Sequence, residues 1–357
     1  MYTTFRIKNF RCFEELGLEN IQRVNLVTGL NNVGKTALLE ALFLHCGGAN
    51  PELANRLNIF RGYSGGNSFK ASQAANLLWA NLFFGSDVSK GVEMEGIDDK
   101  GEKRSLRLRV LPQRFTSLKI IEAQDTPDII SRESADYGGL EYECEDKEGI
   151  KSYRALINSQ GISVNPSPPT QLFPEYFLTA RRYIPPSEEA DLFSNMEIKK
   201  QQDLLIEPLK LIEPNLQRIA LIIRGGQPML HGDIGSSELI PLSLMGDGMV
   251  RICSIILAIA NAPNGMVLID EVENGLYHSV LKKLWIAIGD IARRFNTQIF
   301  ATTHSYECIA AAHKAFSESS SYDFALYRLE MIKEKIKVIA YDQEGLEFTI
   351  ESEWEVR

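Results

Sequence analysis

The apolar positions of the chain fall into runs whose order predicts an α/β protein. Residues 2–10 alternate as a half-buried strand does, and "VNLVTG" at 24–29 is a buried strand ending in Gly. "KTALLEALFLHC", 35–46, carries apolar residues at helical spacing without Pro or Gly, so 24–46 reads as strand, glycine-bearing loop, helix. The same signals return late in the chain. "GMVRICSIILAIANA" at 248–262 is an apolar helix, and "GMVLIDE" a buried strand. "HSVLKKLWIAIGDIARRF" is an amphipathic helix, and "TQIFATTHS" at 297–305 a second buried strand with a polar end. Helices alternating with apolar strands predict a mainly parallel sheet flanked by helices on both faces.

The middle of the chain reads differently. Residues 47–75, rich in Gly, Asn and Ser, predict a loop, and 90–165 predict an antiparallel β region from short alternating runs such as "RSLRLRVL" and "GLEYECED". Prolines enforce a loop at 163–175, and 187–222 read as helical pieces limited by Pro208 and Pro214. Near the end, "YRLEMIKEKIKVIAYDQEGLEF" reads as a β hairpin with the turn at "DQEG". The expected division is therefore an N-terminal lobe at 1–85, an α+β insertion at 86–235, a C-terminal lobe at 236–320 and a hairpin tail at 321–357.

Composition narrows the setting. A chain of 357 residues suits one elaborate domain or two. No apolar run reaches the roughly 18–20 residues of a membrane span, and the N-terminus lacks a signal-peptide layout, so no membrane and a cytoplasmic location are expected. The five cysteines are scattered without a CxxC pair, which suggests neither a zinc ribbon nor a disulfide framework. A net charge of −9 argues against indiscriminate nucleic-acid binding but not against a local basic groove.

"GLNNVGKT", Gly29 to Thr36, fits G-x-x-x-x-G-K-[ST] in full, between the expected strand and helix. In such a loop glycines let successive N–H groups face phosphate oxygens, and the following helix adds the positive end of its dipole. Asn31, Asn32, Gly34, Lys35, Thr36 and Ala37 are thus candidate phosphate-binding positions for ATP or GTP. Lys35 would reach the β and γ phosphates, and the Thr36 hydroxyl would ligate Mg²⁺. "MVLIDE" then fits the second acidic strand of such a site. Asp270 would hold Mg²⁺, and Glu271 would serve as general base or orient the attacking water. His304, at the end of the next strand, could sense or polarise the γ phosphate. About 235 residues separate Lys35 from Asp270, which predicts a split core closed around an insertion.

The phosphate loop, "GDG" at a helix start, "LIDEVENGL" and "TTHS", in this order, resemble the ABC-type ATPases of the SMC/RecF/OLD lineage, particularly AAA-type ATP-binding proteins of bacterial defence islands. The likeness covers about residues 1–46 and 240–310, and the expected fold is a P-loop NTPase with an ABC-type core. "IKNFRCF" is similar to the start of these proteins and suggests that Arg11 lies near the phosphates, a surface arginine without a role being the competing reading. In the family a signature segment at a helix N-terminus docks on nucleotide held by another subunit; "SLMGDGMVR" matches it, with Gly246 where the usual serine stands and Gly248 on its glycine. The hydroxyl contact would be lost, exposed N–H groups could still bind phosphate, and Asp247 would cap the helix. "ENGL" matches the interface-crossing D-loop, which brings in Asn274 and suggests that Glu273 begins a loop reaching toward the other subunit. No Q-loop glutamine stands out, Gln73 being the nearest candidate.

The resemblance implies an ATP- and Mg²⁺-dependent ATPase that closes as a homodimer across the nucleotide. Its output would be defence, through a separately encoded nuclease or toxin, possible Toprim-like effectors included, because too few residues follow His304 for a nuclease in the same chain. The alternative is a RecF-like repair ATPase that binds DNA through a groove of Arg104, Arg107, Arg109, Arg181, Arg182, Lys199 and Lys200, a solvated face being the favoured reading of these residues. A transporter subunit is disfavoured by the missing signature and Q-loop.

Overall fold

The sheet that carries the phosphate loop is built from both ends of the chain. In the computed structural model, which describes residues 1–62, 78–111, 138–158, 161–169, 173–180 and 184–352, the chain opens with the antiparallel pair β1 (Tyr2–Phe10) and β2 (Phe13–Leu18). It then enters β3 (Val24–Thr28), buried at every position, and α1 (Lys35–Cys46), which is also almost wholly buried. Helix α2 (Glu52–Phe60) follows within the stretch expected to be a loop. Its Leu53, Ala54 and Leu57 form a short apolar stripe that packs into the core, which overrides the flanking turn residues.

An antiparallel sheet comes next. Strands β4 (Val92–Asp98), β5 (Lys103–Leu111), β6 (Gly139–Asp146), β7 (Gly149–Asn158) and β8 (Gly161–Asn165) join β1 and β2 in the order β2-β1-β4-β5-β6-β7-β8. The antiparallel region expected within 86–235 thus continues a sheet begun at the N-terminus. After β9 (Glu175–Leu178) the chain forms α3 (Pro186–Ile198) and α4 (Asp203–Leu209). It then makes the hairpin β10 (Arg218–Arg224) and β11 (Gln227–Asp233), edged by β12 (Ile240–Pro241). "RIALI", expected to be helical, lies in β10, because the Gly225–Gly226 turn, with φ 58° and 77°, folds it back onto β11.

The remainder alternates: α5 (Asp247–Ala260), β13 (Met266–Ile269), α6 (His278–Phe295), β14 (Gln298–Thr302), α7 (Tyr306–Ser317), β15 (Phe324–Ile332), β16 (Lys335–Tyr341) and α8 (Gln343–Glu351). The core sheet has the order β16-β15-β3-β14-β13-β9, parallel except for β16. The C-terminal hairpin exists, but its turn is at Lys333 and Glu334, both left-handed, and β15 is a core strand beside β3. "DQEG" instead starts α8, where the Asp342 side chain accepts from the amide of Gly345 and caps the helix.

Successive residues of the core strands feed opposite cores, as the pleat requires. Val267 and Ile269 pack toward α5 and α6, Met266 and Leu268 toward α1 and the antiparallel sheet. On α6, Leu281, Leu284, Trp285, Ile288 and Ile291 give the buried stripe its helical period. The core sheet is thereby covered on both faces, and this is the ABC-type split architecture expected from the motifs. No helix among the described residues is long and apolar enough to cross a membrane.

Candidate functional site

The loop after β3 is set by steric necessity. Gly29, at φ 135°, has its α-carbon against the backbone carbonyl of Leu329, leaving no room for a Cβ. Gly34, at φ 95°, would place a Cβ 2.6 Å from Cys12 Sγ and 2.7 Å from the Phe13 ring. Gly34 is also the N-cap of α1 and supplies no side-chain cap, so the first amides of α1 point unpaired toward the loop.

Beside this loop lies a cavity of about 800 Å³ lined by Arg11, Asn31, Asn32, Gly34, Lys35, Thr36, Ala37, Asp270, Glu271 and His304. Parallel pairing explains the convergence: the C-terminal ends of β3, β13 and β14 lie side by side. Lys35 is buried, and its Nζ donates to the carbonyls of Gly29 and Leu30 at 2.7 and 2.8 Å. Burial pulls its pKa down to about 8, against the opposing fields of Asp270, Glu271 and Glu273. The Thr36 hydroxyl donates to the Asp270 carboxylate, 3.2 and 3.1 Å from its two oxygens.

Two residues that sequence reasoning passed over organise the acidic strand. The Thr302 hydroxyl donates to Asp270 Oδ1 at 2.7 Å and accepts from the Glu271 amide at 2.8 Å. Arg251, buried on α5, donates to the carbonyls of Asp270 at 2.5 Å, Glu271 at 3.0 Å and Thr179 at 3.2 Å. Glu271 is held in the left-handed region at φ 51°, its carboxylate half-exposed and 3.9 Å from His304 Nε2. The signals were present: a single basic residue inside an apolar helix, and a hydroxyl at a buried strand end.

The Glu273 side chain turns back toward the segment that follows β14. Its Oε1 accepts the His304 amide at 2.9 Å. Arg11, at φ 53° in the β1–β2 turn, lines the cavity but its Nε pairs with Glu40 at 3.1 Å, where Arg61 also binds, at 2.6 Å.

Gly246, Gly248 and Asn274 are not part of the cavity lining. Gly246 is the N-cap of α5 at φ 108°, and Asp247 is the first helical residue and makes no side-chain cap, contrary to expectation; its position inside the first turn takes it past the capping site. Gly248 packs against the carbonyl of Gly275, and Asn274 donates to the carbonyl of Ala180 at 3.0 Å, so the two glycine-bearing segments form one surface. Of the candidate groove residues, Arg107 is paired with Glu93 and Glu143, while Arg181 and Arg182, like Gln73, lie outside the described residues.

With the geometry in hand, comparisons place the chain among known proteins. A family model described as "AAA domain, putative AbiEii toxin, Type IV TA system" matches residues 24–310. An ATP/GTP phosphatase of Helicobacter pylori is 24% identical over 378 aligned positions, covering 99% of this chain and 99% of that protein. An uncharacterized protein of Methanocaldococcus jannaschii is 50% identical over 44 residues, 12% of this chain and 20% of its own length. Among solved structures, an SMC head bound to the C-terminal winged-helix domain of ScpA matches with a TM-score of 0.50 and 12% identity, covering 98% of this chain and 99% of that one, a likeness of fold.

Proposed function

The chain belongs to this AAA-domain family and has the fold of the SMC/RecF/OLD-like ABC ATPases, and on that premise we propose that it is an ATP-hydrolysing enzyme. One observation carries the reading: Lys35, Thr36, Asp270, Glu271 and His304 line a single cavity although they come from distant parts of the chain. Lys35 and the amides of Asn31 to Ala37 hold the phosphates, with the Lys35 ammonium exchanging its two carbonyl partners for phosphate oxygens. The donor set fits Mg²⁺: a hydroxyl and a carboxylate, Thr36 and Asp270, converge within 3.2 Å, and water and phosphate would complete a hard-cation shell. Bound Mg²⁺ would offset charge on the phosphates. Glu271 orients and deprotonates the attacking water, and His304 beside it faces the γ phosphate. The name of the Helicobacter relative supports hydrolysis.

The protein acts as a nucleotide-sandwich homodimer. Gly246, Gly248 and Asn274 lie outside their own cavity and serve the second subunit's nucleotide. Large apolar side chains exposed on these two segments and on the phosphate loop support this: Leu30 at 66% in the phosphate loop, Leu244 at 76% before α5 and Tyr277 at 70% after Asn274. Its output is defence through a separately encoded nuclease or toxin, a reading supported by the toxin-system description of the family.

The test is direct. Wild-type protein releases phosphate from ATP, and Glu271→Gln binds ATP, doubles in mass on a sizing column and retains a host effector. Absence of both hydrolysis in wild type and ATP-dependent association in the variant would sink the mechanism. Duplex DNA retained in place of a protein would overturn the effector assignment.

A further inference from the structure

A second cavity, of about 430 Å³, lies at the far end of α1 from the phosphate loop. At about 1.5 Å per residue, the 12 residues of α1 put the two ends of the helix roughly 18 Å apart. The lining comes from both layers: the last turn of α1 and Gly47, Glu175 at the start of β9, and Arg104 and Cys144 of the antiparallel sheet.

Glu175 is the anomaly. Its Oε2 is fully buried and accepts no hydrogen bond, and the carboxylate makes no ion pair among the described residues. Its other oxygen rests against Gly47, in space a Cβ would need. Burial holds its carboxyl well above the usual carboxylate range, although Arg56 and Arg104 pull the other way. A buried carboxyl without a partner is costly as a charge, and a cation donating to the oxygen beside Gly47 would favour its ionised form.

The surroundings select the charge of that donor. The C-terminal end of α1 contributes the negative end of its dipole, and Glu145, Asp146 and Glu188 also face the space. Of the cations there, Lys151 pairs with Glu148 at 2.5 Å and the Arg104 guanidinium lies 5.5 Å from the Phe173 ring centroid, while the exposed Arg56 acts on Glu175 only through its field, so four acids face three cations. His45 adds no charge. Its ring nitrogens face the Tyr2 hydroxyl and the Arg104 carbonyl, both at 3.1 Å, and burial drives its pKa down to about 3.

We propose that this cavity binds a small organic cation, an ammonium or guanidinium on an aliphatic stem, whose head donates to Glu175. The stem lies along Leu53 and Phe173, and the volume is in the range of small-molecule sites, roughly 300–1,000 Å³. The site does not depend on the ATPase reading, since binding is measured without nucleotide.

The experiment is calorimetric titration of the full chain at low salt with putrescine and, separately, agmatine. It compares wild type, Glu175→Gln, and Ala49→Trp, which adds bulk to the lining without altering charge. We expect at least one probe to bind wild type with a Kd below about 1 mM, and both variants to weaken it by about tenfold or more. The probe that binds better tells ammonium from guanidinium. Failure of both probes to bind wild type, or equal binding by Glu175→Gln, overturns the proposal. If that variant loses cooperative melting, Ala49→Trp decides alone: unchanged affinity there overturns the site.

Discussion

The amide of His304 donates to the carboxylate of Glu273 at 2.9 Å, so the loop that follows the acidic strand fixes the backbone of the histidine facing the cavity. Removing that acceptor leaves the amide unpaired and frees the imidazole from its place beside Glu271. Glu273→Ala should lower kcat about tenfold, the equivalent of about 1.4 kcal/mol, with KM for ATP nearly unchanged. Glu273→Gln, which keeps an acceptor oxygen, should recover most of the rate. Steady-state kinetics on the pair decides it, and equal losses in both variants would refute the backbone role.

Glu271→Gln should lower turnover by about 10²- to 10⁴-fold, the usual range for a lost general base. ATP affinity should stay within a few-fold of wild type, because the phosphate-holding groups are untouched. Phosphate release and fluorescent-nucleotide binding measure the two quantities separately.

Arg251 ties α5 to the acidic strand through three carbonyls, and its removal strands buried acceptors. Arg251→Met should destabilise the protein by about 2–4 kcal/mol, seen as a lower midpoint in urea. A smaller hydrolytic defect should accompany it, since the Glu271 backbone loses its support. An unchanged midpoint would show that the guanidinium contributes little.

Lys35 gives a pH signature of known sign. Its pKa is about 8 in the folded protein against 10.5 in an ordinary lysine. Between those values the unfolded chain binds more protons, so this group makes the nucleotide-free protein more stable as pH rises. ATP affinity should move oppositely, falling as pH passes about 8 and the ammonium is lost. Lys35→Met should bind ATP weakly at every pH and show no such inflection. A wild-type affinity flat from pH 7 to 9 would contradict this.

How much of this was legible depended on how local each cause is. The phosphate loop and buried strands are written in contiguous residues: Gly34 is dictated by its φ and by Cys12 and Phe13 nearby, and Val24 to Thr28 are apolar enough to read as interior. β10 is not legible in the sequence because its apolar run at 219–223 fits either period, and only pairing with β11 decides. The hairpin turn at Lys333 and Glu334 escaped notice because neither is a residue that usually takes positive φ, while Asp342 and Gly345 imitate a turn and are a helix cap. Thr302, Arg251 and Glu273 act across strand boundaries, through partners far away in the sequence.

The placement of β3 between β14 and β15 bears on how the protein is made. The nucleotide-binding strand leaves the ribosome long before its hydrogen-bonding neighbours, whose pairing with it runs to Thr302 and Arg328. Until they emerge the nascent chain carries an apolar strand with both edges open, a demand on chaperones. A message broken or terminated before those codons yields a fragment that cannot assemble the catalytic centre, so activity appears only once both neighbouring strands have been made.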